Sequence, residues 1–433
     1  MGESNMITLP NGLRLIMRPM MDADSVTAHV FIGTGARHED MSSEYGVSHF
    51  LEHLLFKGSE KYPTPNSVSE AIEGVGGYQN AYTSHELTTF FTKLPKDSLS
   101  TAIDVLSDSV RRPLFDQEEI DRERGVIIEE MNIYKDDPAQ HVFDYVGEVI
   151  WPQSTLRSNI LGTEDIIRSL PREIIRGYHA ATYTPDNVVV SVAGNFDTDQ
   201  LYGMVQDKFG DWQGRHSRTS ENSIGNLSSD RSHVYHRETS QAHLVLAARA
   251  VPYRHQDEAP LRLLAAILGG GPSSRLYQEL REKRGLAYST FMRAVGYVDT
   301  GEWEIYVGAN TEYLSEATKL IMAILSDVRQ HGVREEELIR MKRQLHGRVI
   351  MGQETNGAVA DRMGSELLLT GRIRTFDEIL QSIDSVTLED VWRVAQRYLD
   401  PAHIRMSLIA NVSAVEREQL ESIIQSTDSF EAL

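Results

Sequence analysis

Residues 46 to 58 read GVSHFLEHLLFKG. His49, Glu52 and His53 stand at i, i+3 and i+4, so a helix over this run carries all three on one face, a single turn apart. Val47, Phe50, Leu51, Leu54, Leu55 and Phe56 fill the rest of the circumference. A helix that is apolar nearly all round is a buried one, and two imidazoles and a carboxylate inside a core carry a desolvation penalty unless each has a strong partner. A divalent cation held by both histidines, with the glutamate beside it, removes the penalty. Two core histidines satisfied by hydrogen bonds are the plainer alternative. The spacing H-x-x-E-H inverts H-E-x-x-H, a signature of zinc hydrolases, and favours the metal.

A catalytic zinc site usually has three protein ligands and one open position. Residues 120 to 134, IDRERGVIIEEMNIY, offer the third. Wound at about 100° per residue from Ile127, Ile120, Met131 and Tyr134 fall within about 40° of zero, with Val126 and Ile133 flanking at about 250°. Glu123 lands at about 320° and Glu130 at about 300°, both inside the apolar arc, whereas Glu129 lands at about 200°, outside it. Buried carboxylates two turns apart need charge partners. Glu130 is therefore assigned as the third ligand, and Glu123 as a carboxylate that orients one of the histidines from behind. With Zn2+ in place, its water would ionise near neutrality, and Glu52, one residue before a ligand, would act as general base toward that water and then return the proton to a departing amine.

The elements that must position these residues come from a chain of 433 residues, too long for one ordinary core. The chain is written twice. LPREIIRGYHAATYTPDNVVVSVAGNFDTDQL, from residue 170, aligns with VTLEDVWRVAQRYLDPAHIRMSLIANVSAVEREQL, from residue 386. Upstream, the run from Asp97 resembles the run from Glu312. Tyr183 and Tyr398 are 215 apart, as are Leu99 and Leu314, and Glu118 and Glu336 are 218 apart. The expected organisation is a metal-binding domain over 1–213, a Ser- and Asn-rich linker over 214–233, and a homologous domain over 234–433. Each is read as α+β, a mostly antiparallel sheet packed with helices. Runs such as LRLIMRP, SVTAHVFIGTG, TTFFTKLP and NVVVSVAG predict strands, and 45–57, 66–75, 97–111, 116–135 and 171–181 predict helices. In the second copy the counterpart of HFLEHLLFKG is LRLLAAILGGG, and Arg348 falls opposite Glu130, so one metal site per chain is expected.

The formal charge is −20, which excludes a nucleic-acid partner for want of a basic face. No apolar run reaches the ~18 residues of a membrane span, and MGESNMITLPNG has neither the basic nor the apolar region of a secretory signal. With no cysteine there is no thiolate ligand and no disulfide, and a cytoplasmic protein is expected. The run LGGGPSSRL lacks the G-K-[ST] ending of a phosphate loop and reads as a turn.

H-x-x-E-H followed downstream by the glutamate of ERGVIIEEM resembles the M16 family of zinc peptidases, the inverzincins, whose members include pitrilysin and the mitochondrial processing peptidase. Length and duplication are similar to the short bacterial branch, M16B, and TGARHEDMSSEYGVSHFLEHLLFKG and GGYQNAYTSHELTT carry the likeness further. The resemblance implies a zinc-dependent endopeptidase acting on peptides or on unfolded, presequence-like segments. It also implies pairs of chains closing around a peptide chamber, as a homodimer or with an inactive homologue. Substrate is expected as an added strand along YQNAYT, with Asn80 and Ala81 at the contacts. Arg281 and Tyr288 of LREKRGLAYS match the pair that the family places against the substrate, where an Arg can hold a carbonyl and a Tyr hydroxyl an oxyanion. The competing expectation is a non-catalytic core or scaffold subunit of the same fold. Such subunits lose part of the metal motif, whereas His49, Glu52, His53 and Glu130 all stand here.

Overall fold

A computed structural model describes residues 5–218 and 224–426, so 219–223 of the expected linker lie outside the described residues. The first sheet contains β1 (Asn5–Thr8), β2 (Arg14–Pro19), β3 (Ser25–Ile32), β4 (Tyr78–Thr83), β5 (Thr88–Pro95) and β6 (Val188–Gly194). Its order is β1-β2-β6-β3-β5-β4, with β2 and β6 parallel and every other pair antiparallel. The second sheet contains β7 (Ser232–His236), β8 (Ala242–Ala250), β9 (Ala287–Gly296), β10 (Gly301–Ala309) and β11 (Arg405–Ala410). Its order, β7-β11-β8-β10-β9, again has a single parallel pair, β7 with β11. Laid over one another from β2 and β7, the two orders are identical, and the duplication read in the sequence is a duplication of topology. The fold is α+β, as expected.

Between β3 and β6 of the first sheet run α1 (Val47–Leu54), α2 (Pro65–Glu73), α3 (Leu99–Arg111) and α4 (Gln117–Asp136). Helices α2, α3 and α4 fall within two residues of their predicted bounds, and α1 ends three residues short of its own. On one face of the first sheet, Val26, Ala28, Val30 and Ile32 of β3 join a core with α1, α3 and α4. The alternate residue Phe31, with Ile16 and Val189, faces a different partner, the helix Asn356–Thr370, through Val359, Ala360, Met363 and Leu367. Both faces of β3 and β6 are thus covered, which is why SVTAHVFI and VVVSVAG are apolar along their length instead of alternating. The second sheet is built the same way. Helices Pro138–Asp144 and Val146–Ile150 lie on its far face, with Val142, Val146 and Ile150 against Val245, Ala247 and Ile409.

Compactness therefore groups the chain differently from the contiguous spans 1–213 and 234–433. One unit comprises Met1–Asn132, Ser158–Glu221 and Ile350–Arg374, the other Ile133–Arg157, Asn222–Val349 and Thr375–Leu433. Each half of the sequence covers its own sheet on one side and gives a helical segment to the other half's sheet. Buried polar contacts fix the late segment in the first unit: Asn356 Nδ2 donates to Ser25 O at 2.9 Å and Ser191 Oγ donates to Ala360 O at 2.8 Å. Among the described residues no helix is long and apolar enough to cross a membrane.

Candidate metal centre

Helix α1 starts where only glycine can stand. Gly46 has φ +91°, and a Cβ on it would lie 2.6 Å from Leu161 O. Buried Glu39 supplies the cap that the glycine lacks, accepting the Gly46 and Ser48 N–H groups at 2.7 Å each. From that fixed start Val47, Phe50, Leu51 and Leu54 point into the core and His49 is 5% exposed. The expected burial of this helix is observed.

Helix α4 buries Ile120, Glu123, Ile127, Ile128 and Met131 as one stripe. Glu123 is 2% exposed, Glu129 is exposed, and the Glu130 side chain is 33% exposed at the stripe's margin. The expected arc was too wide: Val126, Ile133 and Tyr134 are exposed, not buried. The stripe is centred between Ile127 and Ile128, which puts Val126 and Ile133 beyond its edge, and Tyr134 lies in a last turn outside the core.

The two helices bring together what the sequence separated. One oxygen of Glu130, Oε2, lies 3.6 Å from His49 Nε2 and 3.4 Å from His53 Nε2. One ligand atom from each of the three residues lies within 4.8 Å of the others, the sole such group of metal-type donors among the described residues. At 3.4 and 3.6 Å the contacts stand at or beyond the long end of the hydrogen-bond range. They match the edge of a tetrahedron of ligands at 2.0–2.1 Å from an ion, about 3.3 Å. Two imidazoles and a carboxylate are also a donor set proper to zinc, so the residues present fit the group.

The electrostatics point the same way. Burial, reinforced by the charge of His53, pushes His49 down to about 4, against the pull of Glu130. Burial works against charge on His53 too, yet Glu123 and Glu130 outweigh it and lift its pKa to about 9. Hydrogen bonding to His53 holds Glu130 below the usual carboxylate range against its own desolvation. With two carboxylates drawing one proton onto an imidazole, the pocket is organised around a positive charge. His53 Nδ1 meets Glu123 Oε2 at 3.1 Å, the backing carboxylate expected there. Glu52 lies alongside, facing Thr83 of β4. Its pKa is raised by burial, in part opposed by the polar groups of Thr83 and the charge of His53.

Strand β4 is an edge of its sheet, paired with β5 alone, and α1 packs against both. Asn80 and Ala81 sit on it. The Ala81 N–H donates to Asn80 Oδ1 at 2.8 Å, so it points away from β5 toward the open edge. Arg281 and Tyr288 belong to the second unit, where they meet each other. Arg281 lies in a π-helical turn, Tyr277–Lys283, with its guanidinium 5.0 Å from the ring centroids of Tyr277 and of Tyr288, which is 70% exposed. The second unit has no counterpart of the donors. In place of Glu130 it has Arg348, whose Nη2 donates to Gly270 O at 3.1 Å just past helix Glu258–Gly269.

Three residues at the site escaped the sequence reading. Glu39 and Thr83 come from loop and strand with no periodic signal. Lys57, whose Nζ lies 2.7 Å from Glu123 Oε1, stands three residues past the end of α1, where a lysine reads as solvated charge.

Two family models match the chain, "Insulinase (Peptidase family M16)" over residues 16–164 and "Peptidase M16 inactive domain" over residues 169–345. The chain is 34% identical over 394 residues to an uncharacterized zinc protease, YmxG, of Bacillus subtilis, covering 90% of this chain and 94% of that one. It is 33% identical over 404 residues to an uncharacterized zinc protease of Streptomyces coelicolor, covering 92% and 88%. Among solved structures it superposes on a protease from Helicobacter pylori with a TM-score of 0.87 at 21% identity, covering 94% of this chain and 99% of that one.

Proposed function

The chain belongs to peptidase family M16, and on that premise we propose that it is a zinc-dependent endopeptidase whose centre is His49, His53 and Glu130. The observation that carries this reading is the approach of both imidazole Nε2 atoms to the same Glu130 oxygen, with Glu52 alongside. A zinc ion held there supplies a Lewis acid for a peptide carbonyl and makes water a nucleophile near neutral pH. Glu52 takes the proton of the attacking water on its carboxylate and delivers it to the leaving amide nitrogen. Its raised pKa suits both halves of that exchange. Glu123 holds His53 by Nδ1, leaving Nε2 to face the ion. The substrate is a peptide in extended form, added as a strand to the open edge of β4 at Asn80 and Ala81. Main-chain pairing accepts many sequences, which suits unfolded or presequence-like segments.

Cleavage of a quenched peptide, lost with chelator and restored by zinc, tests the reading. Glu52→Gln is expected to keep zinc and to lower kcat by roughly 10²–10⁴-fold. Full activity in that variant refutes the role of Glu52, and an inert native protein loaded with zinc favours a non-catalytic scaffold.

A further inference from the structure

The two histidines are not held alike. His49 Nδ1 is buried and has no hydrogen-bond partner, whereas His53 Nδ1 has Glu123. Outer support for the ligand set thus converges on a single carboxylate, and that carboxylate is itself held. Its two oxygens are divided: Oε2 lies 3.1 Å from His53 Nδ1 and Oε1 2.7 Å from Lys57 Nζ. The glutamate is almost wholly buried, while Lys57 is about one-third exposed and stands just past the end of α1, its N–H donating to Leu54 O at 3.0 Å. The same short segment therefore supplies both the ligand His53 and the ammonium that pins the group behind it.

We infer that Lys57 is a positioning residue for the metal, acting through Glu123 on His53. Resting on the zinc reading above, this goes beyond it. A carboxylate with one oxygen on an ammonium cannot swing without breaking a charge-assisted bond in a site shielded from water. Glu123 Oε2 is thereby kept as an acceptor for the Nδ1–H of His53, which reserves Nε2 for the ion it would share with Glu130, whose Oε2 is 3.4 Å away. Removal of the ammonium leaves Glu123 free to turn, and the imidazole loses both its orientation and its enforced tautomer. Lys57 touches neither ligand nor substrate and is not a catalytic residue.

The test is zinc affinity, measured on the full chain by competition with a chromophoric chelator at 20 °C, with circular dichroism confirming a native fold. Lys57→Met is expected to weaken zinc binding about 10–100-fold, the range for loss of an outer-shell partner. Lys57→Arg, which keeps a cation on Glu123 Oε1, is expected to recover at least half of that loss on a logarithmic scale. Should Lys57→Met fail to fold, Lys57→Gln takes its place. A Met or Gln variant within threefold of the native affinity overturns the inference while leaving the metal site intact, and so does an Arg variant as weak as the Met variant. If the native protein does not bind zinc at all, the zinc reading falls first and this one with it.

Discussion

Helix Asn356–Thr370 contains two glycines whose replacement by alanine should have opposite effects. At Gly364 a Cβ would lie 2.1 Å from Phe31 Cε2 and 2.4 Å from Cδ2. Phe31 cannot give way, since it is fully buried and stacks on His29 with ring centroids 5.3 Å apart. The helix must lift from the sheet, loosening Val359, Met363 and Leu367. Overpacking of a closed core costs about 1–3 kcal/mol, and an overlap of more than 1 Å on a rigid ring belongs at the upper end. Against it stands the helix preference of alanine over glycine, about 1 kcal/mol, for a net loss of roughly 2 kcal/mol. At Gly357 the nearest neighbour to a new Cβ is Thr27 Oγ1 at 4.0 Å, so there the preference acts unopposed and stabilises by up to about 1 kcal/mol. A chain of two units is not expected to unfold in one step, so the readout is local: amide hydrogen exchange along β3 and β6. Gly364→Ala should lower protection there about 30-fold, the equivalent of about 2 kcal/mol, and Gly357→Ala should leave it equal or higher. A Gly364→Ala protein as protected as the native one would refute the seating of this helix on the first sheet.

The remaining expectations concern charge. Glu130→Gln should abolish tight zinc binding while Glu129→Gln, one residue away on the exposed side, leaves it unchanged; equal effects would break the assignment of faces on α4. Zinc must displace the proton that His53 holds with a pKa of about 9, so its dissociation constant should fall about tenfold per pH unit between pH 6 and 8. A constant value over that range would contradict the coupling of His53 to Glu123 and Glu130. In the second unit Glu337 is buried, but Arg275 and Arg334 outweigh the desolvation and hold its pKa down to about 2. Its stabilising contribution, roughly 3 kcal/mol, is complete above pH ~4.5 and is lost as pH falls toward 2. The midpoint of the urea transition that unfolds the second unit, followed by hydrogen exchange of its own amides, should therefore differ strongly between native protein and Arg275→Gln at pH 5 and nearly converge by pH 2.5.

What was legible in the sequence follows from what periodicity measures. Burial of one helical face sorts Glu123 and Glu130 from Glu129, because Glu123 falls inside the stripe and Glu130 at its margin, whereas Glu129 lies about 100° further round. The same rule placed α1 and α3, and runs of apolar and β-branched residues placed β2, β3, β5 and β6. It could not tell which sheet a helix covers. Helices Pro138–Asp144 and Asn356–Thr370 carry no motif, and nothing in Val142 or Met363 names its partner across the chain. The polar contacts that decide it, Asn356 to Ser25 and Ser191 to Ala360, are long-range pairs of residue types that serve equally well in loops. Lys57 was hidden for a related reason. A lysine after a helix reads as solvated charge until the buried carboxylate opposite it is seen.

The two sheets also show how little of the chemistry belongs to the fold. Strand order, the single parallel pair and the helix packed beside the edge strand recur in both units. In the second unit that helix, Glu258–Gly269, buries Leu261, Leu263, Leu264, Ile267 and Leu268, and it needs no ion because none of the residues it buries is charged. In the first, two histidines stand in an equivalent core at a desolvation cost that neither the sheet nor the helix relieves. Relief comes from α4 and from the turn after α1, through Glu130, Glu123 and Lys57. A copy that lost Glu130 alone would keep its fold and hold two unmatched imidazoles, so the remaining polar residues should drift to leucine and alanine, as the second copy reads. Retention of all five groups in the first unit is what a site under functional demand requires, since stability by itself is served better by the apolar version.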